Sequence, residues 1–339
     1  MNKFVLYYLN MKILKYPITQ VVYGYNSIEW LNNIKGKKIA IVTTRSLMRS
    51  KILSEILSII SAEVIEGPKQ HTPEQDLIDL HEKTKNFEIL VGLGGGSIID
   101  GLKLATEESK SIIAIPTTLS GAEHTSIGGY TVEGLKKVKA SREVNYIILD
   151  PKATLETPKW LLLSSAVRAI DHAIEAIYSL DSTSFTDALA IEGYKKLIKN
   201  LKKIDDIDSR LECQIGSWLA SLTIRYVRMG ISHAFGYIFG PRFGIPHGIT
   251  SSISLPTSVK LNYNVAKNKL KLLEENEAPL YQFIDTFLKE LNVRKRLSEF
   301  TTINEALKYS RLLVDIVNKS GNPIIIDKSI AEQYIRDLY

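Results

Sequence analysis

Residues 88–100 read Glu88-Ile89-Leu90-Val91-Gly92-Leu93-Gly94-Gly95-Gly96-Ser97-Ile98-Ile99-Asp100, and this stretch decides the fold. The apolar run 88–93 has the length of a buried strand, and the spacing of Ile98, Leu102 and Ala105 is that of a helix. Three glycines join them. Glycine lets the backbone approach a phosphate closely, and the free N–H groups and dipole of a helix N-terminus favour negative charge. Three in succession exceed what a tight turn needs, so Gly94, Gly95, Gly96 and Ser97 are assigned to an anion of the pyrophosphate kind. The spacing is not G-x-G-x-x-G, so the common fingerprint does not apply. Ser97 is placed to cap the helix, and Asp100 to add favourable charge to its first turn.

The alternation extends on both sides. Residues 38–43, 63–65, 111–116 and 146–151 read as short strands, and the segments 46–56 and 73–85 carry helical apolar spacing. Strands alternating with helices predict a parallel sheet covered on both faces. After Pro151 the pattern is helical, over 166–178, 184–201, 208–227, 249–262, 280–291 and 303–319, with no convincing strand. The expectation is an α/β domain over residues 1–153 and an all-helical domain over residues 154–339.

Composition removes other classes. The chain has 339 residues, enough for two domains, and 45% hydrophobic with 24% charged residues is the balance of a soluble globular enzyme. The net charge of +6 is scattered rather than gathered into the basic stripe that nucleic acid requires, so no nucleic-acid partner is expected, and a small, anionic molecule as partner is compatible with it. The one cysteine, Cys213, builds neither a disulfide framework nor a cysteine zinc site, and is read as packing. No run approaches the ~18 apolar residues of a membrane span. Residues 1–10 lack the pattern of a signal peptide and are read as an extension before Met11 or an upstream start choice. The expected location is cytoplasmic, away from membranes.

Two further groups of residues carry chemistry. Pro116-Thr117-Thr118-Leu119-Ser120-Gly121-Ala122-Glu123-His124-Thr125 follows a strand, and loops at the carboxyl ends of parallel strands line the cleft of an open α/β sheet. In the helical half stand His172, His233 and His247. Gly240, Pro241, Gly244 and Pro246 would break a helix, so His233 and His247 are expected on separate elements whose ends converge. Three histidines flanked by glycine and proline argue for a site.

In this order, the glycine run, the Pro116-Thr117-Thr118 loop and the three histidines resemble the iron-type alcohol dehydrogenase superfamily over nearly the whole chain, from Val22-Tyr23-Gly24 onward. The resemblance implies a dinucleotide-binding α/β domain, a helical domain, a site in the cleft between them, and a homo-oligomer, with a dimer as the expectation. It implies that Gly95, Gly96, Ser97 and Asp100 contact the dinucleotide. It also implies that Thr117, Thr118 and Leu119 lie beside the phosphates and ribose, and Lys136 near the nicotinamide ribose. Metal-dependent members carry an Asp four residues before the first histidine; here that position is Arg168, and a further frequent histidine is Tyr237. Positions i and i+4 share a helix face, so a guanidinium points where a metal-binding carboxylate belongs. A fixed positive charge beside three imidazoles opposes a divalent cation. Asp171, about 100° around the helix from His172, is a poor substitute.

Within the superfamily the chain looks most like the maleylacetate reductase branch, through His71-Thr72-Pro73, residues 120–127, Thr131 and Lys136. That implies NADH- or NADPH-dependent reduction of a small oxo-dicarboxylate, with Arg168, His172, His233, His247 and Tyr237 as catalytic candidates. Arg168 would stabilise a developing oxyanion or hold a carboxylate, or else form an ion pair with Glu175 or Asp171. One histidine would donate the proton. Two alternatives stand beside this reading. One is an alcohol dehydrogenase with iron or zinc on His172, His233 and His247 plus water. The other is a dinucleotide-binding protein without catalysis. Val42-Thr43-Thr44-Arg45 offers no carboxylate to repel a 2′-phosphate, and Arg45 or Arg49 is placed to bind one, so NADPH is expected to be accepted.

Overall fold

The computed structural model describes residues 14–133, 135–274 and 278–339; the extension read at residues 1–10 lies outside them. Six strands form one parallel sheet: β1 (Gln20–Tyr23), β2 (Ile39–Thr43), β3 (Glu63–Glu66), β4 (Ile89–Gly94), β5 (Ser111–Pro116) and β8 (Tyr146–Leu149), in the order β1-β8-β5-β4-β2-β3. Alternate residues of each strand point to opposite faces. Ile41, Val91 and Ile113 therefore pack with Leu53 and Ile56 of α1 (Lys51–Ile59). Val42, Leu90 and Ile112 pack on the other face with Leu80 of α2 (Glu74–Thr84) and Ile98 and Leu102 of α3 (Gly96–Ala105). The crossover after β2 runs to β3 and that after β4 runs the other way to β5, so the strand order reverses between β2 and β4. A crevice opens at the carboxyl ends of strands at such a point, which is where ligands bind open α/β sheets.

Three strands were not legible in the sequence. β1 is a four-residue edge strand paired with β8. β6 (Ile127–Val132) and β7 (Leu135–Ala140) form a separate antiparallel hairpin that sets Thr131 opposite Lys136. Lys136, Lys137 and Lys139 interrupt β7 with charge, so it lacks the apolar alternation of a half-buried strand.

Beyond residue 159 the described chain is helical. α4 (Lys159–Tyr178) is buried without a break from Leu162 to Tyr178. A helix buried on all sides belongs at the centre of its domain, and α5 (Ser184–Asn200), α6 (Ile207–Leu222) and α8 (His247–Leu270) pack around it. α7 (Ile231–Arg242) carries His233. Gly240 and Pro241 do not stop it, because Pro241 falls at its last turn and Phe235, Ile238 and Phe239 are held in the core with α8. Gly248 is obligatory at the α4–α8 crossing, since a Cβ there would stand 2.4 Å from the Ser164 carbonyl oxygen. α9 (Leu280–Glu290), α10 (Ile303–Leu307), α11 (Ser310–Val317) and α12 (Lys328–Leu338) complete the domain, and the helix expected over 303–319 is broken at residues 308–309.

Candidate active site between the two domains

A cavity of about 640 Å³ lies between the carboxyl ends of the sheet and the helical domain. Its wall brings together Thr44, Gly95, Gly96, Ser97, Asp100, Thr117, Thr118 and Lys136 from the first domain with Arg168, His172, His233, Tyr237 and His247 from the second. Three expected residues are elsewhere. Gly94 is the last residue of β4, and its carbonyl accepts the Thr117 N–H within the sheet edge. Leu119 is buried in the helical core, its N–H donating to Ser165 Oγ (2.9 Å) and its carbonyl accepting from Ser217 Oγ (2.9 Å). Arg45 is exposed and off the wall, while Arg49 is on it.

The glycine turn fits a pyrophosphate. Gly95 is the N-cap of α3 and no side chain caps the helix; Ile98 and Ile99 donate to the Gly95 carbonyl, so the Gly96 and Ser97 N–H groups are left for a ligand. A Cβ on Gly95 would meet Thr118 at 3.0 Å, and one on Gly96 would meet Ser120 at 3.2 Å, so side chains here would close the cradle. Ser97 does not cap α3; as its second residue it points back, and its Oγ accepts the His71 N–H (3.2 Å). Asp100 lies past the first turn and is tied inward, with Oδ1 3.0 Å from Lys103 Nζ and Oδ2 accepting the Gly129 N–H (3.1 Å). That fixes the hairpin that carries Lys136. Burial, with Arg168 and Lys103 nearby, pulls the Lys136 ammonium down to about 8 against the attraction of Asp100.

The opposite wall is a buried polar network on α4, α7 and α8. Arg168 Nη1 donates to Ser251 Oγ (3.1 Å) and to Asp171 Oδ2 (3.3 Å), while its Nε is buried with no partner. Asp171 Oδ2 also accepts from Ser232 Oγ (2.7 Å) and Ser251 Oγ (2.6 Å). Glu175 is a site residue that the sequence reading considered only as an ion-pair partner. Its carboxylate accepts four donors: Tyr178 OH (2.6 Å), the Ser232 N–H (2.9 Å), the Gly230 N–H (2.6 Å) and His233 Nδ1 (2.7 Å). It thus caps α7 from outside and fixes the His233 tautomer, leaving His233 Nε2 as a buried acceptor without a partner. The signal was the four-residue spacing Asp171–Glu175, which puts both carboxyls on one face of α4. His172 Nδ1 lies 2.9 Å from Ser221 Oγ, and its ring centre is 5.0 Å from that of His233. Tyr237 stacks against His247 at 6.5 Å. Burial, then neighbouring positive groups including Arg168, hold all three imidazoles well below their ordinary range, so they are neutral near pH 7.

The donor set does not fit a divalent cation. Among the described residues, the potential ligand atoms that lie within 4.8 Å of one another belong to Asp171, Glu175 and His233, not to the three histidines. Both carboxylates are already occupied by donors, which leaves Asp171 Oδ1 and His233 Nε2 as the free atoms. The Arg168 guanidinium occupies the same pocket. Cys213, off the cavity wall, is buried with its thiol pushed up to about 12, which is no nucleophile.

Two adjacent family models match the chain: Iron-containing alcohol dehydrogenase over residues 18–151, and Fe-containing alcohol dehydrogenase family, C-terminal, over residues 162–314. The maleylacetate reductase of Pseudomonas aeruginosa is 30% identical over 198 residues, 56% of this chain and 56% of that protein. The chain thus spans a little over half the length of that relative. In solved structures, a maleylacetate reductase from Agrobacterium tumefaciens superposes with a TM-score of 0.86 at 23% identity, covering 97% of this chain and 99% of the other. A putative alcohol dehydrogenase from Ralstonia eutropha JMP134 gives a TM-score of 0.87 at 23% identity, over 96% and 97%. Among the described residues no helix is long and apolar enough to cross a membrane.

Proposed function

The chain belongs to the iron-containing alcohol dehydrogenase family, and from that premise we propose that it is an oxidoreductase transferring hydride from NADPH or NADH to a small, carboxylated oxo substrate. The observation that carries this reading is the pairing across one cavity of Lys136 from the nucleotide side and Arg168 from the helical side. Two cations with neutral imidazoles between them suit a substrate with two negative centres. The maleylacetate reductases among the relatives act on a substrate class of that kind by their names.

A bound nicotinamide dinucleotide supplies the hydride. The residues of this chain do the rest. Gly95, Gly96 and the open end of α3 hold the pyrophosphate, and Thr117 and Thr118 flank it. The unpaired Arg168 Nε is free to complete a charge-assisted contact with a carboxylate or a developing oxyanion. His233 presents a lone pair, because Glu175 accepts its Nδ1 proton, so it accepts rather than donates at rest. Proton delivery falls to His172, His247 or Tyr237, whose phenol is kept protonated by burial.

The test is nicotinamide absorbance with purified protein, NADPH or NADH, and a panel of 2-oxo acids, maleylacetate-like compounds and aldehydes. NADPH oxidation with an oxo-dicarboxylate, at a kcat/KM about tenfold or more above that for an uncharged aldehyde, is the expected result. Silence across the panel with intact nucleotide binding would leave a binding protein without catalysis. Arg49→Ala is expected to raise KM for NADPH about tenfold and leave that for NADH unchanged; a KM for NADH far below that for NADPH in the parent chain would refute this nucleotide reading.

Lys136 sets a pH limit. It is charged below about 8 and neutral above, so kcat/KM for a dicarboxylate should fall above about pH 8. Lys136→Arg, which stays charged, should flatten that alkaline limb. A limb unmoved by the substitution would assign it to another group.

A further inference from the structure

The loop at residues 68–73 is built around two consecutive non-glycine residues in the left-handed region, His71 at φ +66° and Thr72 at φ +51°. Each is disfavoured relative to the right-handed form, and a β-branched threonine sits there badly. Such a conformation persists only where the surroundings over-determine it, and such places cluster at functional sites. Here the start of α3, the hairpin and the loop itself fix every polar backbone atom of the pair. Ser97 Oγ accepts the His71 N–H, Thr131 Oγ1 donates to the His71 carbonyl (2.8 Å), the Thr131 N–H donates to the Thr72 carbonyl (3.0 Å), and the Thr72 N–H donates to the Lys69 carbonyl (3.0 Å).

The product of this arrangement is the placement of one side chain. The His71 imidazole is half-buried in the cavity wall and, alone among this residue's polar groups, has no hydrogen-bond partner among the described residues. It shares the cavity wall with Lys136 and His247, and the positive charge of Lys136 bears on it. We propose that His71 is a substrate-contacting residue, whose ring N–H donates a hydrogen bond to an oxygen of the oxo substrate beside Lys136. This rests on the hydride-transfer reading above and adds a fourth histidine to the site.

The test uses His71→Gly and His71→Asn in the full chain. Glycine adopts the left-handed region freely and asparagine tolerates it. The thermal midpoint should therefore stay level or rise in both, while kcat/KM for the oxo-dicarboxylate falls about 30-fold in His71→Gly and less in His71→Asn, which retains a donor. Affinity for NADPH, measured by calorimetry without substrate, should hold within about twofold. Succinate affinity for the NADP⁺ complex, which needs no turnover, should weaken about tenfold in His71→Gly. Unchanged kcat/KM and succinate affinity would overturn the proposal, as would a loss of NADPH affinity that matches the loss in kcat/KM, since His71 would then serve the cofactor. A parent chain that neither turns over an oxo acid nor binds succinate would instead overturn the hydride-transfer reading, and this proposal with it.

Discussion

Arg168→Met is expected to lower kcat/KM for an oxo-dicarboxylate by about 100-fold, close to 2.7 kcal/mol of transition-state stabilisation. The side chain is 2% exposed, spends Nη1 on Asp171 and Ser251, and keeps a buried Nε with no partner beside the cavity. If Arg168 holds a carboxylate in ground and transition states alike, the loss appears in KM; if it meets charge that develops during reaction, the loss appears in kcat. Arg168→Lys keeps the charge and loses the planar fork, so it should recover only part, about tenfold below the parent. The fold should survive the methionine, because Ser232 and Ser251 still donate to Asp171 and burial already pushes that carboxyl upward, toward the neutral acid. Arg168→Asp carries the second half of the argument. It removes the cation that opposes a metal and adds a carboxylate one helical turn from His172, so elemental analysis should find more zinc or iron retained after dialysis than in the parent. Stoichiometric metal in the parent chain, lost together with activity on chelation, would sink this account of Arg168 altogether.

Arg168 also shows how far the sequence could be read. Its four-residue spacing from His172 follows from helix geometry, so its place on the cavity wall was legible. Its other contacts were only half legible. The ion pair with Asp171 is local to α4, whereas Ser251 is contributed by α8, 83 positions away, and no local pattern announces such a partner. The same division holds elsewhere. β4, its glycine turn and α3 are set by neighbouring residues, and the predicted strand and helix limits fall within a residue or two of those observed. The capping role given to Ser97 failed because α3 begins earlier than that role requires, with Gly95 as N-cap, and the Ser97 Oγ inside the helix accepts a tertiary donor, the His71 N–H. α7 was hidden by Gly236, Gly240 and Pro241, residues of poor helix propensity that packing against α8 overrides. Glu175 was seen only as a charge, since its four donors converge from α4, the α7 N-terminus and His233.

Acidification from pH 7 to pH 5 is expected to destabilise the protein steeply, because its site is built on neutral buried imidazoles. His172, His233 and His247 are each held well below their ordinary range, first by burial and then by nearby positive groups, Arg168 among them. A histidine lowered in the fold contributes stability that is present above its unfolded value, near 6.5, and lost as pH falls below it. Unfolding in this window therefore takes up as many as three protons, each worth about 1.4 kcal/mol per pH unit. Asp171 and Glu175 act in the opposite sense. Burial raises both carboxyls, so the stability they contribute is present at low pH and lost as pH rises through their folded values. They reduce the net slope at every pH between their unfolded and folded values. Guanidinium midpoints at pH 7 and pH 5 would measure the loss, and His172→Gln, which keeps a donor for Ser221 without a titrating ring, should lower the slope by about one proton. A slope untouched by His172→Gln, His233→Gln and His247→Gln alike would mean that the imidazoles are charged in the fold. Arg168 would then need a negative partner beyond Asp171 to hold them so.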